Sequence, residues 1–487
     1  MDEEGESDKT GNCSRVGTTG PTSTRPDVDV PLPIAELYTR GVVVLLSTYE
    51  LGRPAFGPAS AAAFLRDAGH AVRVVDLSRE PLADALLADA RMFAVHTPMH
   101  AATRLAGPLL QRLRTARPEA VRVAYGLYAP LNDAWLRDQG ATHVLAPEAE
   151  LALVTLAGGD LTEPEPLRGA RLPRLTFRVP DRSHQPPLAA FAQLNVAGER
   201  RLAGYTEATR GCLHTCTHCP IVPVYEGVFR AVPADVVLAD IDQQVAAGAR
   251  HITFGDPDFL NGPGHARRLV EALTRRHPDV TYDVTVKVEH LCGQPAMLDV
   301  LAASNCAFVT SAIEAFDDEI LGHLQKDHTG DDARRAVAAC RTRGLALVPT
   351  FVAFTPWTSA RGYLAMLEQL RSLDLIDAVA PVQLALRLLL PAGSPLLGNP
   401  DVARVASAFD PEALAHPWSH VDPVVDRLQQ DVLAAVGAQA RRASRRASYE
   451  AARRLAEAAA DVSLPPFAPD AVVVRATVPY LDEPWYC

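Results

Sequence analysis

No stretch of the 487-residue chain stays apolar and uncharged for the ~20 residues needed to cross a bilayer. Its opening segment, "MDEEGESDKTGNCSRVGTTGPTSTRPDVDVP", has neither the basic nor the apolar region of a secretory signal. Together these point to a cytoplasmic protein with no membrane partner, behind a disordered acidic leader over residues 1–38. Positive charge is also scarce. The chain has 47 Lys and Arg against 58 Asp and Glu, for a net charge of -11, whereas a general nucleic-acid binder needs a concentrated basic surface. The one basic run, "RRASRRASYEAARR" at 441–454, has the Ala-rich composition of a helix and reads as its solvated face. Cysteines number only eight. Cys13, Cys292, Cys306, Cys340 and Cys487 are scattered, which excludes a disulfide framework.

What the chain does have is hydrophobic material, 48% of its residues, at a length that suits about three domains of ~150 residues. Over residues 39–155, short apolar runs at 42–46, 70–75, 92–96, 121–126 and 142–146 alternate with helix-length amphipathic stretches. Continuous apolar strands separated by helices indicate a doubly wound parallel sheet with its ligand site at the carboxyl ends of the strands. A Pro-, Arg- and Gly-rich linker over 156–200 follows. A second βα alternation fills 201–400, with strands expected at 204–209, 251–255, 282–288, 308–314, 347–354 and 381–389. Six such units make a partial (β/α)6 barrel. Residues 401–487 read as a mostly helical region with a Pro-rich tail.

"RGCLHTCTHCP" (210–220) places Cys212, Cys216 and Cys219 in a loop directly after the first strand of that barrel. Thiolates this close suit a soft metal centre, and three of them hold three corners of a 4Fe-4S cube while leaving one iron open. Two other readings compete. His214 or His218 completes a closed Cys3His zinc site in a binding or interaction protein, or Cys216 and Cys219 form a redox pair. Strand parity adds an independent clue. In "YDVTVKVE", Val284, Val286 and Val288 share one face, while Asp283, Thr285, Lys287 and Glu289 share the other. On the sixth expected strand, Leu384, Leu386 and Leu388 oppose Gln383 and Arg387, and the fourth ends in Glu314. A barrel lined by such groups holds water or a polar ligand, or else pairs its charges internally, as Lys287 with Glu314.

The Cys-x3-Cys-x2-Cys spacing, with an aromatic residue, His218, before the last cysteine, resembles the radical S-adenosylmethionine superfamily over roughly residues 200–400. The resemblance implies a 4Fe-4S cluster on Cys212, Cys216 and Cys219 whose open iron binds S-adenosylmethionine. Reductive cleavage there yields a 5'-deoxyadenosyl radical that abstracts hydrogen from a substrate, with electrons from an external flavodoxin- or ferredoxin-type donor. By position, the resemblance assigns S-adenosylmethionine contacts to His218, Gly255, Asp256, Pro257, Asp258, Lys287, Glu314 and Arg387, with 350–359 on the adenine side. "GDPD" at 255–258 departs from the commoner Gly-Gly-Glu type.

A doubly wound domain ahead of this core resembles the cobalamin-binding subgroup, with loops at Ser47 and Thr48 and at Gly126 and Leu127. The Asp-x-His-x-x-Gly motif of many cobalamin domains is absent, since none of His70, His96, His100 or His143 stands in that context. The resemblance implies cobalamin and radical methyl transfer to a small-molecule or peptide substrate. The alternative is a front domain without cofactor that binds substrate or a partner. The segments "GCLHTCTHCPIVPVYEGVFRAVPADVV" and "FDDEILGHLQKDHT" are similar to a subgroup of these proteins ending in Cys-Cys-Ala-Glu-Pro or Cys-selenocysteine-Ala-Glu-Pro. On its residues alone "EPWYC" reads as an ordinary frayed end; by that likeness Cys487 precedes a UGA codon for selenocysteine, in a tail that serves as a redox pair or as a docking or modification tag.

Overall fold

The computed structural model describes residues 41–439, 444–465 and 478–482. The expected leader, Cys13, Cys487 and most of the Pro-rich tail lie outside them. None of the described helices is long and apolar enough to cross a membrane.

The first unit is a five-stranded sheet of β1 (Val42–Ser47), β2 (Val72–Asp76), β3 (Ala90–His96), β4 (Val121–Tyr125) and β5 (His143–Leu145). All pairs are parallel, in the order β2-β1-β3-β4-β5. Val43 to Leu46 are fully buried, because helices cover both faces and a strand so placed must be apolar on both sides. The chain runs outward from β1 in both directions, so the crevice between the carboxyl ends of β1 and β3 is the ligand position of such sheets.

The linker is stitched to both neighbours. Asp181 N donates to Ala59 O and Ala192 N to Gly52 O, each at 2.9 Å, while Arg182 pairs with Asp240 at 2.6 Å and donates to Tyr205 O.

The second unit contains β6 (Gln193–Val196), β7 (Glu199–Thr206), β8 (Thr209–Gly211), β9 (Phe229–Ala231), β10 (His251–Phe254), β11 (Thr281–Thr285), β12 (Cys306–Glu314), β13 (Leu347–Phe351) and β14 (Tyr480–Leu481). Strands β7 and β10 to β13 are parallel and form a curled half-barrel. Antiparallel β6 and β14 extend its β7 edge, and β8 and β9 form a separate ribbon. Outward residues such as Ile252, Phe254, Tyr282, Val284, Val309 and Phe351 join one core with the covering helices. The inward face carries Thr253, Asp283, Thr285, Thr310 and Thr350, a polar lining of the expected kind. Asp283 is buried but satisfied, accepting from Thr253 Oγ1 at 2.6 Å and lying 2.8 Å from His251 Nε2.

Three local expectations are corrected. The third barrel strand stops at Thr285, and a helix over Val288–Gly293 follows with Lys287 at its N-cap, so Lys287 and Glu289 are not strand residues. The sixth strand shrinks to a 3-10 turn at Pro381–Leu384 and one parallel bridge between Phe354 and Arg387. The described part of the basic run is not a solvated face, because Arg445 and Arg453 are 8% and 7% exposed. Arg453 donates to Glu368 at 3.1 Å, joining helix Arg445–Ala460 to helix Ala360–Ser372, and Arg445 donates to Asp377 O in the segment after that helix at 2.7 Å.

Candidate functional site

Cys212, Cys216 and Cys219 are free thiols in the loop that leaves β8. The loop is anchored from three sides. Asn261 Nδ2 donates to Cys212 Sγ at 3.7 Å. Thr217 donates through Oγ1 to His323 O at 2.8 Å and through N to Leu324 O at 3.1 Å. Asp256 accepts from Ala208 N and Thr209 Oγ1, at 3.0 and 2.6 Å, just upstream.

Burial pushes the Cys219 thiol up to about 12, and Cys216 and Cys212 push it the same way. Such a set of mutually repelling thiols is stabilised as thiolates by a metal charge. The three sulfurs do not all lie within 4.8 Å of one another, whereas tetrahedral zinc holds its thiolates ~3.8 Å apart. Neither histidine closes a zinc site. Both nitrogens of His214 are engaged elsewhere, with Asp258 at 3.2 Å and Lys287 Nζ at 3.0 Å. His218 Nε2 lies 3.2 Å from Glu314, and neither of the two possible metal-ligand groups found among the described residues contains a cysteine. The donor set therefore fits an iron-sulfur cube better than zinc.

The remaining sequence-derived residues separate into three sets. Gly255, Asp256 and Pro257 follow β10 and line the space above the half-barrel. Gly255 is required there, since a Cβ would overlap Tyr205 Oη. Burial raises Asp256 to about 6 against its hydrogen bonds from Thr209 and Ala208. Asp258 is a hub beside them. It accepts from Leu260 N and Lys287 N at 3.3 Å and lies 2.7 Å from His290 Nδ1. Although burial opposes it, hydrogen bonds from His214 and His290 hold its carboxyl far below the usual range.

Glu314 ends β12 at a register shift with φ +64°, a strained conformation for a residue with a Cβ. It pairs with Lys326 at 3.3 Å and His218, which hold it at about 2 against the opposing effect of burial. The Lys287–Glu314 pairing is thus replaced: Lys287 lies 3.2 Å from Glu289 and 3.3 Å from Asp327. Arg387 is held in the C-terminal region, 2.8 Å from Asp426, donating to Trp418 O and stacked 3.5 Å over the Trp418 ring. That leaves it turned to the C-terminal region rather than offered to a carboxylate ligand.

Between the two units lies a cavity lined from both sets of strand ends. Glu50, His96, Tyr125, Gly126, Leu127, Glu148 and Glu150 come from the front sheet. Tyr205, Glu207, Arg210, Gly211, Ile221 and Gly255 face them from the barrel and the flanks of the cysteine loop. Ser47 and Thr48 stand behind this wall, with Thr48 Oγ1 donating to Ala102 O at 3.0 Å.

Arg210 crosses the boundary to Glu148 at 3.1 Å, Glu150 at 2.7 Å and Ser60 Oγ at 3.0 Å. Glu207 lies 3.5 Å from Arg210 Nε. Burial raises it to about 8, Arg210 working against the shift and Asp256, Glu50 and Glu148 adding to it. Three buried polar atoms of lining residues, Arg53 Nε, Tyr125 Oη and Glu150 Oε2, have no hydrogen-bond partner among the described residues. These atoms are shielded by their neighbours even with the cavity empty, so the polar groups that face an occupant are those of Glu50, Glu207 and Arg210, whose side chains stay partly open on the wall.

Residues 206–358 match the family model described as the radical SAM superfamily. The chain carries a radical SAM domain. Ribosomal protein uS12 methylthiotransferase RimO from Sorangium cellulosum (strain So ce56) is 26% identical over 162 residues, 29% of this chain and 31% of that protein. The chain therefore spans less than a third of that relative. The structure of the cobalamin-dependent S-adenosylmethionine radical enzyme OxsB, with aqua-cobalamin and S-adenosylmethionine bound, superposes with a TM-score of 0.65 at 13% identity. That match covers 82% of this chain and 66% of OxsB. The radical S-adenosylmethionine methyltransferase TsrM from Kitasatospora setae, with cobalamin and a 4Fe-4S cluster bound, gives 0.54 at 17% identity over 69% of this chain and 70% of TsrM. At these identities the likeness shows the fold alone, a doubly wound sheet ahead of a curled half-barrel.

Sequence reasoning missed Arg210, Asn261, His290 and Lys326. Asn261, His290 and Lys326 reach the cysteine loop or its neighbours from separate elements, and Arg210, inside the motif, reaches Glu148 and Glu150 of the front unit; a single sequence gives no signal for such pairings.

Proposed function

We propose that the protein is a radical S-adenosylmethionine enzyme. It holds a 4Fe-4S cluster on Cys212, Cys216 and Cys219 and cobalamin in the cavity between its two units. The observation that carries this reading is the shared cavity, walled on one side by the ends of the front strands and on the other by the flanks of the cysteine loop. When bound, the cluster supplies the electron that splits S-adenosylmethionine, and cobalamin supplies a methyl carrier.

The chain's own residues position and insulate. Asn261 and Thr217 fix the thiolate loop, Gly255 gives close backbone approach, and Lys326 with Glu314 offers a charged pair at the strand end. A corrin edge bears amide groups that both donate and accept, which suits a wall that offers carboxylates from Glu50 and Glu207 and a guanidinium from Arg210. The reaction class is C–H functionalisation, with radical methyl transfer as its main form, on a small molecule or a peptide. A flavodoxin- or ferredoxin-type protein supplies the electrons.

Anaerobic purification tests the reading. It requires ~4 iron and ~4 sulfide per chain, with a visible band characteristic of thiolate-bound clusters, and formation of 5'-deoxyadenosine from S-adenosylmethionine under reduction. Cys212→Ala, Cys216→Ala or Cys219→Ala should each abolish that product. One zinc per chain and no colour would end the proposal.

A further inference from the structure

Two residues of the front unit meet at its crevice in an arrangement that the proposed reaction has not yet used. Glu50 follows β1 and His96 is the last residue of β3, so both stand where β1 and β3 part company, at the ligand position of a doubly wound sheet. His96 Nδ1 lies 2.8 Å from Glu50 Oε1, which also accepts from Ser47 Oγ at 3.3 Å. The side chains are 12% and 10% exposed, and both line the interdomain cavity. The carboxylate partner requires a proton on Nδ1, and in the neutral imidazole that leaves the lone pair on Nε2. Among the described residues Nε2 has no hydrogen-bond partner.

The surroundings are cleared for this ring. A Cβ on Gly57 would overlap its Nε2 and Cε1 atoms, and one on Gly126, at φ +119°, would come within 3.1 Å of Cδ2. Tyr125 packs beside it at 5.0 Å between ring centroids.

The other three front-domain histidines are differently placed. His70 Nδ1 lies 3.1 Å from Arg91, His100 Nε2 2.7 Å from Ala413 O, and His143 Nε2 3.1 Å from Leu161 O. None of them lines the cavity. Among these four histidines, His96 alone combines a carboxylate on one nitrogen, a free lone pair on the other and a place on the cavity wall. That is the arrangement of a metal-ligating imidazole, whose outer nitrogen is oriented and made more basic by a carboxylate, and nitrogen donors of this kind suit first-row transition metals.

We propose that His96 Nε2 is the protein's ligand to cobalt when cobalamin occupies the cavity, with Glu50 as the positioning residue that fixes its tautomer. The inference rests on the cobalamin reading above. It places the ligand at the end of β3, outside any Asp-x-His-x-x-Gly sequence.

The test uses the full chain, produced with 15N-histidine, loaded with hydroxocobalamin and reduced to the Co(II) state. Its electron paramagnetic resonance spectrum should show doublet superhyperfine splitting from one 15N nucleus, against a triplet in unlabelled protein. The cofactor's own benzimidazole nitrogen is unlabelled and would stay a triplet in both. His96→Ala should lose the protein splitting, and added imidazole should restore a triplet. Glu50→Gln should weaken cobalamin retention by ~10–100-fold, the usual effect of removing such a partner. A cobalamin-loaded labelled protein with no 15N splitting overturns the ligand assignment and leaves cobalamin binding intact. Failure of the wild-type chain to retain cobalamin overturns the cobalamin reading and this inference with it.

Discussion

Arg210 Nη1 lies 2.7 Å from Glu150 Oε1 across the junction of the two units, two residues before Cys212. Glu148 at 3.1 Å completes a cluster in which the three side chains are 11%, 0% and 7% exposed. Removing one member of such a buried cluster leaves the others uncompensated, at a cost of about 3–5 kcal/mol. Arg210→Met should therefore destabilise the protein by that amount in equilibrium denaturation. Adding Glu148→Gln and Glu150→Gln to the same chain should recover most of it. A loss below about 1 kcal/mol for the single variant would show that the cluster does not join the units.

A second test concerns pH. Burial holds Glu207 at about 8, against an ordinary value of 4.5, so the folded chain keeps a proton that the unfolded chain releases. Stability should then fall as pH rises from about 4.5 through about 8. Asp256, raised to about 6, and His290, raised by Asp258, act in the same sense, so the contribution of Glu207 is read from the difference between the wild-type and Glu207→Gln curves. Glu207→Gln should flatten the decline above about pH 6 by on the order of 2 kcal/mol. Parallel curves for both proteins between pH 6 and 8.5 would sink the assignment.

Gly255 and Tyr205 make a third pair. Gly255→Ala puts a methyl group onto Tyr205 Oη, and overpacking of this kind costs typically about 1–3 kcal/mol. Shortening the partner with Tyr205→Ala should relieve it, giving a coupling of at least about 0.5 kcal/mol in a double-mutant cycle. Additive effects would mean that the strand end shifts freely.

Asn261 donates to Cys212 Sγ at 3.7 Å. Hydrogen bonds to cluster sulfurs help set reduction potentials, because they stabilise the added negative charge. Asn261→Leu should make the cluster harder to reduce, seen as a more negative midpoint in a potentiometric titration followed by electron paramagnetic resonance. An unchanged midpoint would restrict Asn261 to holding the loop.

The five front strands and the cysteine loop were legible in the sequence because each is a local pattern. Apolar runs such as Val42–Leu46 and closely spaced thiols need no distant partner to be recognised. The alternation of Leu384, Leu386 and Leu388 misled, since Pro381 opens a 3-10 turn and Arg387 is drawn to Asp426 and Trp418, which lie far along the chain. The basic run misled for a similar reason. Its arginines meet Asp377 and Glu368 on barrel elements, a pairing that composition does not reveal. Glu314 was correctly singled out as a strand-end carboxylate, but its cation is Lys326 on a later loop, not Lys287.

The linker has a mechanical consequence. Its stitches run alternately to Ala59 and Gly52 on the front unit and to Asp240 and Tyr205 on the barrel, so it behaves as a weld and not as a hinge. The two units cannot swing apart as rigid halves without breaking that seam. The overall dimensions of the protein in solution should therefore stay constant between empty and loaded states.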